Sequence, residues 1–337
     1  MSISDFDYDL PPELIAQAPL PRRDDSRLLV VERRSGCLRH HCFHDLSSLL
    51  RPGDVLVLND SRVLPARLYA RKPTGGKVEL LLVEPGADGT WSALTRPGLP
   101  QGAIVYVSES SIPIEVVGLA TSGLRIIRTC GGVTFPTLMA EHGELPTPSY
   151  IHTRPSDPSR YQTIYARENG SIAAPTAGLH FTEELLNQLR QRQVEIQYLT
   201  LHVGIGTFAP VRVQKITEHH MHEERFTLSD RVAQALEHAK RAGRRIIAVG
   251  TTTTRALESA WNGAGLRTGA QSTSLFITPG FRFHAIDGLI TNFHLPRSTL
   301  LMLVSAFTGH ELIMRAYREA ISKRYRFYSF GDAMFII

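Results

Sequence analysis

Several histidines in this chain lie where acid–base chemistry is possible. His180, His202 and His294 each lie in or beside a short apolar run that has the character of a strand. Histidine titrates close to neutral pH, so three of them near strand ends make at least one general acid or base an expected feature. The residues themselves do not decide which histidine has that role. Carboxylates in comparable positions are Asp60, Asp287 and Asp332.

A polar segment between an apolar run and a predicted helix is suited to binding an anion. Gly250-Thr251-Thr252-Thr253-Thr254-Arg255 follows Ile246–Val249, and we predict the helix from Arg255 to Trp261. Free backbone N–H groups at a helix start, with the helix dipole and hydroxyl groups, suit a carboxylate or a phosphate. Simple N-capping is the alternative interpretation. The chain has neither a GxGxxG motif nor a phosphate-loop lysine motif, so a conventional dinucleotide or nucleoside triphosphate site is not expected.

The segment His219-His220-Met221-His222-Glu223-Glu224 has the composition of a metal site. A metal-dependent hydrolase is therefore one alternative hypothesis for the function. The segment lacks the HExxH order, however, and no further ligand set at a characteristic spacing completes it. We therefore expect that no metal is bound.

Five apolar, strand-like runs position these residues, and each ends in a small cluster of Gly, Thr, Asn, Asp or His. The runs are Val55–Leu58, Ile172–Ala174, Tyr198–Val203, Ile246–Val249 and Leu289–Thr291. The clusters that follow them include Asn59-Asp60-Ser61-Arg62, Thr176-Ala177-Gly178-Leu179-His180, Gly204-Ile205-Gly206-Thr207 and Asn292-Phe293-His294. In α/β sheets ligands bind beyond the carboxyl ends of the strands. The repeated pattern predicts one composite active site.

The order of the predicted elements indicates two kinds of domain. Outside residues 66–149, strands alternate with helices, which predicts an α/β fold with a mixed or largely parallel sheet. The helices are expected at Glu183–Arg192, Asp230–Arg241, Arg255–Trp261, Ser298–Phe307 and His310–Lys323. Residues 66–149 contain short β-runs between Gly- and Pro-rich turns, which predicts an inserted all-β sandwich or small barrel with one possible helix at Thr137–His142. The β-runs are Val78–Val83, Trp91–Leu94, Ile104–Val107, Ile114–Val117 and Leu124–Ile127.

Composition and charge limit the remaining possibilities. The 337 residues carry a net charge of +5, which is compatible with a phosphate-rich partner. Scattered cysteines predict reduced thiols in a cytoplasmic protein, and the longest apolar run, Thr299–Phe307, is too short to span a membrane. Basic residues expected to contact nucleic acid, or else to form a solvated face, are Arg62, Arg67, Lys72, Lys77 and Arg96. Aromatic residues expected to stack on a base, or else to pack in the core, are Tyr161, Tyr165, Tyr325, Phe327 and Tyr328.

Longer motifs occur in a fixed order along the chain. They include Phe6-Asp7-Tyr8-Asp9-Leu10-Pro11, Asn59-Asp60-Ser61-Arg62-Val63-Leu64-Pro65, Ala174-Pro175-Thr176-Ala177-Gly178-Leu179-His180-Phe181, Thr200-Leu201-His202-Val203-Gly204-Ile205-Gly206-Thr207-Phe208, Val249-Gly250-Thr251-Thr252 and Thr291-Asn292-Phe293-His294-Leu295-Pro296. His219 to Glu223 and Tyr325 to Ala333 complete the series. Together these segments resemble the family of S-adenosylmethionine:tRNA ribosyltransferase-isomerases of the queuosine pathway, over essentially the whole chain.

The resemblance implies both a reaction and a fold. S-Adenosylmethionine is expected to be a consumed co-substrate that donates its ribosyl unit to the aminomethyl-deazaguanine base at the tRNA wobble position. The product is epoxyqueuosine, with release of adenine and methionine, and no metal or redox cofactor is implied. The implied fold is a barrel-like α/β domain, residues 1–65 plus 150–337, interrupted by a β-barrel domain of residues 66–149. The partners are tRNA and S-adenosylmethionine, without a membrane, and the protein is expected to be a monomer.

The site residues follow from these segments. Catalytic residues are expected among His180, His202, His222, His294 and Asp60, because one group must remove a proton beside the sulfonium and a carboxylate, Asp60 or Asp287, would stabilise that cation. Residues expected to bind S-adenosylmethionine are Thr176, Gly178, Gly204, Gly206, Gly250, Thr251, Thr252, Arg255 and Asn292. A non-catalytic RNA-binding protein that uses only its β-domain is the second alternative hypothesis.

Overall fold

A computed structural model describes residues 1–108, 110–120, 123–152, 157–204, 206, 216–219 and 221–337. The strands are β1 (Arg27–Val31), β2 (Leu38–Cys42), β3 (Val55–Asn59), β4 (Ser61–Val63), β5 (Arg67–Arg71), β6 (Lys77–Pro85), β7 (Trp91–Arg96), β8 (Ile104–Val107), β9 (Pro113–Leu119), β10 (Arg125–Thr129), β11 (Glu168–Ser171), β12 (Glu195–Leu201), β13 (Glu224–Leu228), β14 (Ile246–Val249), β15 (Gly269–Thr273), β16 (Gly288–Asn292) and β17 (Ala333–Ile336). The α-helices are α1 (Leu46–Leu49), α2 (Phe135–His142), α3 (Glu183–Gln191), α4 (Asp230–Arg241), α5 (Thr251–Ala260), α6 (Thr299–Thr308) and α7 (His310–Ser322).

By compactness the chain divides into two units. The α/β unit contains residues 1–62, 148–168 and 174–337, and the barrel unit contains residues 63–147 and 169–173. The predicted domain boundaries, 65/66 and 149/150, stay a prediction, because compactness in the folded chain does not show that either unit folds alone.

A nine-stranded mixed sheet forms the centre of the α/β unit, in the order β15-β13-β12-β3-β14-β16-β17-β1-β2. Its four middle strands, β12, β3, β14 and β16, are parallel to their neighbours within that group. Every residue of β3, β14 and β16 is buried, as is usual for parallel strands that are covered on both faces. The predicted mixed or largely parallel sheet is thereby confirmed. In the described part of the chain, β15 and β2 are the edge strands of this sheet, so the sheet is open. The closed sheet is the six-stranded one of the barrel unit.

The barrel unit contains a closed six-stranded sheet, in the order β10-β7-β6-β5-β8-β9. All its strand pairs are antiparallel, and alternate residues of β6 are buried. The inward side chains, among them Leu68, Val78, Leu80, Leu82 and Ile114, form one apolar cluster. Such alternation is what a small barrel with a side-chain-filled interior requires. The predicted small barrel is confirmed, and the predicted short helix is present as α2.

Helices α3, α4, α6 and α7 also confirm their predictions, and three of them have side-chain caps. The hydroxyl groups of Thr182, Ser229 and Ser298 accept hydrogen bonds from the N–H groups of α3, α4 and α6. Such caps satisfy one of the N–H groups that a helix start leaves unpaired. The buried leucines of α3 pack against β1, β3 and β14 in the main core cluster, which holds the ends of those strands in place.

One helix begins earlier than predicted. Helix α5 starts at Thr251 rather than Arg255, and Gly250 precedes it with φ 92° and ψ 151°. Two threonine hydroxyl groups donate to carbonyl groups of the residues just before the helix: Thr253 Oγ1 to Val249 O at 2.7 Å and Thr254 Oγ1 to Gly250 O at 3.2 Å. Threonine has a low helix propensity, and the burial of all four threonines outweighs it.

A second correction concerns the run Ile172–Ala174. It is buried but not a strand, because β11 pairs with β4 and ends at Ser171. A short apolar run predicts burial, but only hydrogen bonding to a neighbour makes it a strand. Eight strands were not predicted from the sequence: β1, β2, β4, β5, β11, β13, β15 and β17.

Candidate active site

A cavity of about 60 Å³ lies in the α/β unit, at the carboxyl ends of the neighbouring parallel strands β14 and β16. Six of the residues predicted from the sequence line it: Thr176, Gly250, Thr251, Thr252, Asn292 and His294. Apolar and aromatic side chains form most of the remaining wall, including Val203, Phe293, Leu300, Tyr150 and Tyr328. An apolar pocket with a few polar groups is typical of a small-molecule site.

The amino terminus of α5 forms one side of this cavity. The N–H groups of the first helical turn have no partner within the helix, and the helix dipole places positive potential there. Thr251 and Thr252 are 5% and 7% exposed, so these groups act in a site that is shielded from water. Gly250 adopts a positive φ of 92°, a conformation that other residues rarely adopt. Its N–H donates to Ile290 O at 2.7 Å, which fixes the helix start against β16.

Asn292, at the end of β16, connects the cavity to a buried histidine. Its amide nitrogen lies 3.1 Å from His180 Nε2 and donates to Tyr328 O at 3.2 Å. His180 Nδ1 lies 2.7 Å from Ser26 Oγ, and its ring stacks on Phe43. Burial lowers the pKa of His180 to about 4, so the ring is neutral at neutral pH. Both ring nitrogens are engaged, which leaves neither free for proton transfer to a ligand.

His294 is the histidine that lines the cavity. Its Nε2 lies 2.8 Å from Thr291 Oγ1, and its backbone N–H donates to the Tyr317 hydroxyl at 2.8 Å. Burial lowers the pKa of His294 to about 3. At neutral pH the imidazole is therefore uncharged and has a lone pair with which it can accept a proton.

The other two candidate histidines are not among the described residues that line the cavity. His202 directly follows β12, and burial lowers its pKa, although Glu168 and Asp60 act in the opposite direction. Its Nδ1 has no partner among the described residues. His222 is exposed, and its ring packs on Gly206 so closely that a Cβ there would lie 2.4 Å from His222 Cδ2. Gly206 is therefore explained by this close approach.

Asp60 is buried in a fully engaged position outside the cavity lining. It forms an ion pair with Arg167 at 2.8 Å, and Thr200 Oγ1 donates to its Oδ1 at 2.7 Å. Asp287 lies at the opposite end of the sheet from the cavity, because its Oδ2 accepts from Ile246 N, the first residue of β14, at 2.9 Å. Asp332 likewise accepts from the backbone N–H of Arg27 and of Arg326.

Three further predicted ligand residues are engaged elsewhere in the α/β unit. Arg255 forms a buried ion pair with Glu224, and its Nε donates to Leu275 O at 3.0 Å. The Gly204 N–H donates to the same Glu224 carboxylate at 3.3 Å. Gly178 lies against Tyr165, whose hydroxyl oxygen would be 2.1 Å from an added Cβ. Arg255 thus forms an ion pair and Gly178 allows close packing, and the sequence pattern did not distinguish these structural roles from ligand binding.

The predicted nucleic-acid residues differ in how free their charges are. Arg62 donates to Ala166 O at 2.6 Å, and Arg67 donates to Thr147 O at 2.9 Å and pairs with Glu79. Lys77 and Arg96 are exposed, and Lys72 is partly buried. Of the aromatic residues, Tyr161, Tyr325 and Phe327 are buried in the core, whereas Tyr328 lines the cavity.

The cavity also contains residues that the sequence analysis did not assign to the site. Tyr150 and Ser329 both line it, and their hydroxyl oxygens are 2.6 Å apart. Ser298, the cap of α6, lines it as well. Its position after the motif that ends in His294 was the available signal, but a capping role was sufficient to explain it.

The prediction that no metal is bound at His219–His222 stays a prediction, because His220 is not among the described residues. Among the described residues, the group of possible metal ligands whose ligand atoms lie within 4.8 Å of one another is Cys42, His44 and Asp45, and all three are at least partly exposed. His220 lies outside the described residues, as do Ile205, Thr207 and Phe208 of the predicted motifs. Among the described residues, no helix is long and apolar enough to cross a membrane.

Comparison with known proteins identifies the family. A family model described as "Queuosine biosynthesis protein" matches residues 3–336. The chain belongs to the queuosine biosynthesis protein family.

Curated members of the queuosine family resemble this chain over its whole length. Proteins from Symbiobacterium thermophilum and Heliobacterium modesticaldum are 52% and 51% identical to it, with all of both chains covered, and both are named S-adenosylmethionine:tRNA ribosyltransferase-isomerase. A crystal structure of the S-adenosylmethionine tRNA ribosyltransferase from Thermotoga maritima has 40% identity and a TM-score of 0.59. It covers 99% of this chain, and this chain covers 100% of it.

Proposed function

We propose that this protein is an S-adenosylmethionine:tRNA ribosyltransferase-isomerase of queuosine biosynthesis. It transfers and isomerises the ribosyl unit of S-adenosylmethionine onto the aminomethyl-deazaguanine base at the tRNA wobble position, forming epoxyqueuosine and releasing adenine and methionine. The observation that carries this proposal is the identity of about 50% over full length to curated relatives of that name. S-Adenosylmethionine is consumed as a substrate, and no resident cofactor is part of the proposal.

The strand-end cavity is the proposed S-adenosylmethionine site. The methionine carboxylate would face the amino terminus of α5, where Thr251 and Thr252 offer unpaired N–H groups. The apolar wall suits the adenosine and the methionine side chain. A cavity of about 60 Å³ is small compared with the several hundred Å³ of a typical ligand site. S-Adenosylmethionine would therefore extend beyond this cavity or enlarge it.

His294 is the proposed general base. A sulfonium acidifies the ribose C–H group next to it, and a neutral imidazole at the cavity wall can accept that proton. Its low pKa of about 3 keeps it unprotonated before the reaction but also makes it a weak base, so the pKa of His294 has to rise when the substrate is bound. Adenine leaves more easily when a ring nitrogen is protonated, so a second group must act as an acid. His202 and His222 stay alternative candidates for the general base, and Asp60 stays a candidate for stabilising the sulfonium through its charge.

The tRNA is proposed to contact basic side chains of the barrel unit, in particular the exposed Lys77 and Arg96 and the partly buried Lys72. Phosphate contacts need charges that are not already paired. A cytoplasmic location and a monomeric state stay predictions.

The experiment that tests the function uses the purified protein, a tRNA with the aminomethyl-deazaguanine base, and S-adenosylmethionine with separate labels in its ribose and methyl group. We expect ribose label to enter the tRNA while adenine and methionine are released in equal amounts. Methyl label in the tRNA would identify a methyltransferase instead. Release of adenine without any label in the tRNA would identify a hydrolase.

A further inference from the structure

Asn292 is a buried amide with one unused oxygen in the candidate site. The residue is 3% exposed and lines the strand-end cavity. Its Oδ1 has no hydrogen-bond partner among the described residues, although its Nδ2 has two. A buried acceptor without a partner is costly. Its position in a cavity therefore indicates that a ligand supplies the missing donor.

The surrounding hydrogen bonds fix which atom of the Asn292 amide is the oxygen that remains without a partner. The carbonyl oxygen of Tyr328 can only accept, so the atom 3.2 Å from it must be the amide nitrogen of Asn292. The second amide hydrogen then points to His180 Nε2, which must accept. His180 consequently has its proton on Nδ1 and donates to Ser26 Oγ, and the Ser26 hydroxyl donates to Arg23 O at 3.3 Å. This series of hydrogen bonds requires His180 to be neutral.

The oxygen and the start of α5 lie at the same edge of the sheet. Val249, the last residue of β14, is paired with Ile290 of β16, and the two chains then continue to Thr251 and Asn292. Neighbouring strands are about 4.8 Å apart. One wall of the cavity therefore presents N–H donors at a helix start beside a carbonyl acceptor. An α-amino acid has the complementary arrangement, with a carboxylate and an ammonium group on one carbon.

We propose that Asn292 Oδ1 accepts a hydrogen bond from the α-ammonium group of the methionine part of S-adenosylmethionine, and that His180 is a positioning residue that holds Asn292 in this orientation. This inference rests on the proposed function, since that function places S-adenosylmethionine in the cavity. It separates His180 from the candidates for the general base: His180 touches Asn292, and Asn292 touches the substrate.

Substrate binding provides the first test. Equilibrium dialysis, with and without the tRNA, compares S-adenosylmethionine with an analogue whose α-amino group is replaced by hydrogen. We expect the unmodified protein to bind the analogue about ten to a hundred times more weakly, as for the loss of a hydrogen bond to a charged group. The Asn292→Ala variant should bind both compounds equally and weakly. A variant that still discriminates as the unmodified protein does would overturn the proposal, and would direct attention to the adenine amino or ribose hydroxyl groups as the donors.

Two substitutions at His180 provide the second test. In His180→Gln the side-chain oxygen can replace the accepting Nε2, whereas in His180→Phe packing against Phe43 is kept and the acceptor is lost. We expect His180→Gln to retain both affinity and the single-turnover rate of adenine release, and His180→Phe to lose affinity as Asn292→Ala does. Normal affinity with a more than hundredfold slower release in His180→Gln would make His180 catalytic and contradict the proposal.

The proposed function and the proposed binding role of Asn292 can be refuted separately. Thermal melting identifies any variant that does not fold, and the comparison of ligands with Asn292→Ala remains decisive if His180→Phe is unfolded. Discrimination that depends on Asn292, without ribosyl transfer by the unmodified protein, would refute the proposed function and support the binding role. Absence of S-adenosylmethionine binding, with and without tRNA, would overturn both.

Discussion

The α/β unit and the barrel unit differ in how many polar residues they bury. Among the described residues of the barrel unit, Ser171 is the buried polar residue, and the interior is filled by apolar side chains such as Leu80 and Val105. The α/β unit buries many more, including Thr251, Arg255, Asn292 and His294. Burial of a polar group costs free energy unless a partner replaces water. The comparison therefore indicates where the protein retains groups for chemistry and where it only packs.

Most buried polar groups of the α/β unit do have partners, and this separates architecture from function. Asp60, Arg255 and His180 are each held by hydrogen bonds or ion pairs within the unit. Asn292 Oδ1 is one of the buried polar atoms of this unit that have no partner among the described residues, and it belongs to a residue that lines the cavity. Four predictions test whether groups in the interior of the α/β unit matter more than groups on the surface.

The largest effect is expected at the buried ion pair between Arg255 and Glu224, whose side chains are each 3% exposed. Arg255→Met removes the cation that neutralises the buried Glu224 carboxylate, and we expect a loss of about 3–5 kcal/mol in the free energy of unfolding. The matched control is Arg297→Met, because Arg297 pairs with Asp7 on the surface and should leave stability unchanged. Urea unfolding measures both. Equal effects would show that burial is not what makes the first pair matter.

The next effect concerns pH and the buried histidines. The pKa of folded His180 is about 4, below its ordinary value of 6.5, because burial disfavours the charged form. Between these two pH values the unfolded chain binds a proton at His180 that the folded chain does not. The contribution of His180 to the free energy of unfolding is therefore fully present above pH 6.5 and is lost as the pH falls to about 4. The expected contribution of His180 is about 3 kcal/mol. His294 adds a loss of the same sign.

Urea unfolding at several pH values between 7 and 4.5 measures this dependence. His180→Gln should reduce the slope of stability against pH, since the variant lacks the titrating group. An unchanged slope in the variant would mean that His180 is not held neutral by burial.

A smaller effect is expected from strain at the start of α5. Gly250→Ala forces alanine into a backbone conformation with φ 92°, at a cost of about 1–3 kcal/mol. Gly243→Ala is the control, because Gly243 also has a positive φ, of 68°, but has open space around it. We expect both variants to lose stability, and only Gly250→Ala to bind S-adenosylmethionine more weakly. Equal affinities in the two variants would argue against a ligand at the α5 amino terminus.

The smallest effect is expected on the surface of the barrel unit. Replacing Lys72, Lys77 and Arg96 by glutamine should weaken tRNA binding severalfold, and the slope of log affinity against log salt should fall by about one unit for each lost phosphate contact. Arg128→Gln is a control, since Arg128 is already paired with Glu115. Filter binding at several salt concentrations measures the slopes. The proposed tRNA surface would be wrong if the triple variant and the control had the same slope.

Local pattern was sufficient for many elements. The buried strands β3, β14 and β16 and the amphipathic helices α3, α4 and α7 lie close to their predicted positions, because continuous apolar runs and helical spacing are properties of neighbouring residues. Strands β13 and β15 were not predicted, since they lie towards one edge of the sheet and have few apolar residues. The sequence also sufficed for the family, because the ordered motifs extend over the whole chain.

The sequence by itself therefore determined the two architectures, the family and the set of polar residues at strand ends. Only the tertiary structure decided which of these residues meet. His294 and Asn292 line the cavity. His180 does not line it but contacts the Asn292 amide. Asp287 lies at the opposite end of the sheet. The physical reason is that the position of a side chain depends on which distant strands pair and in which direction, and this is settled by packing over the whole sheet rather than by neighbouring residues.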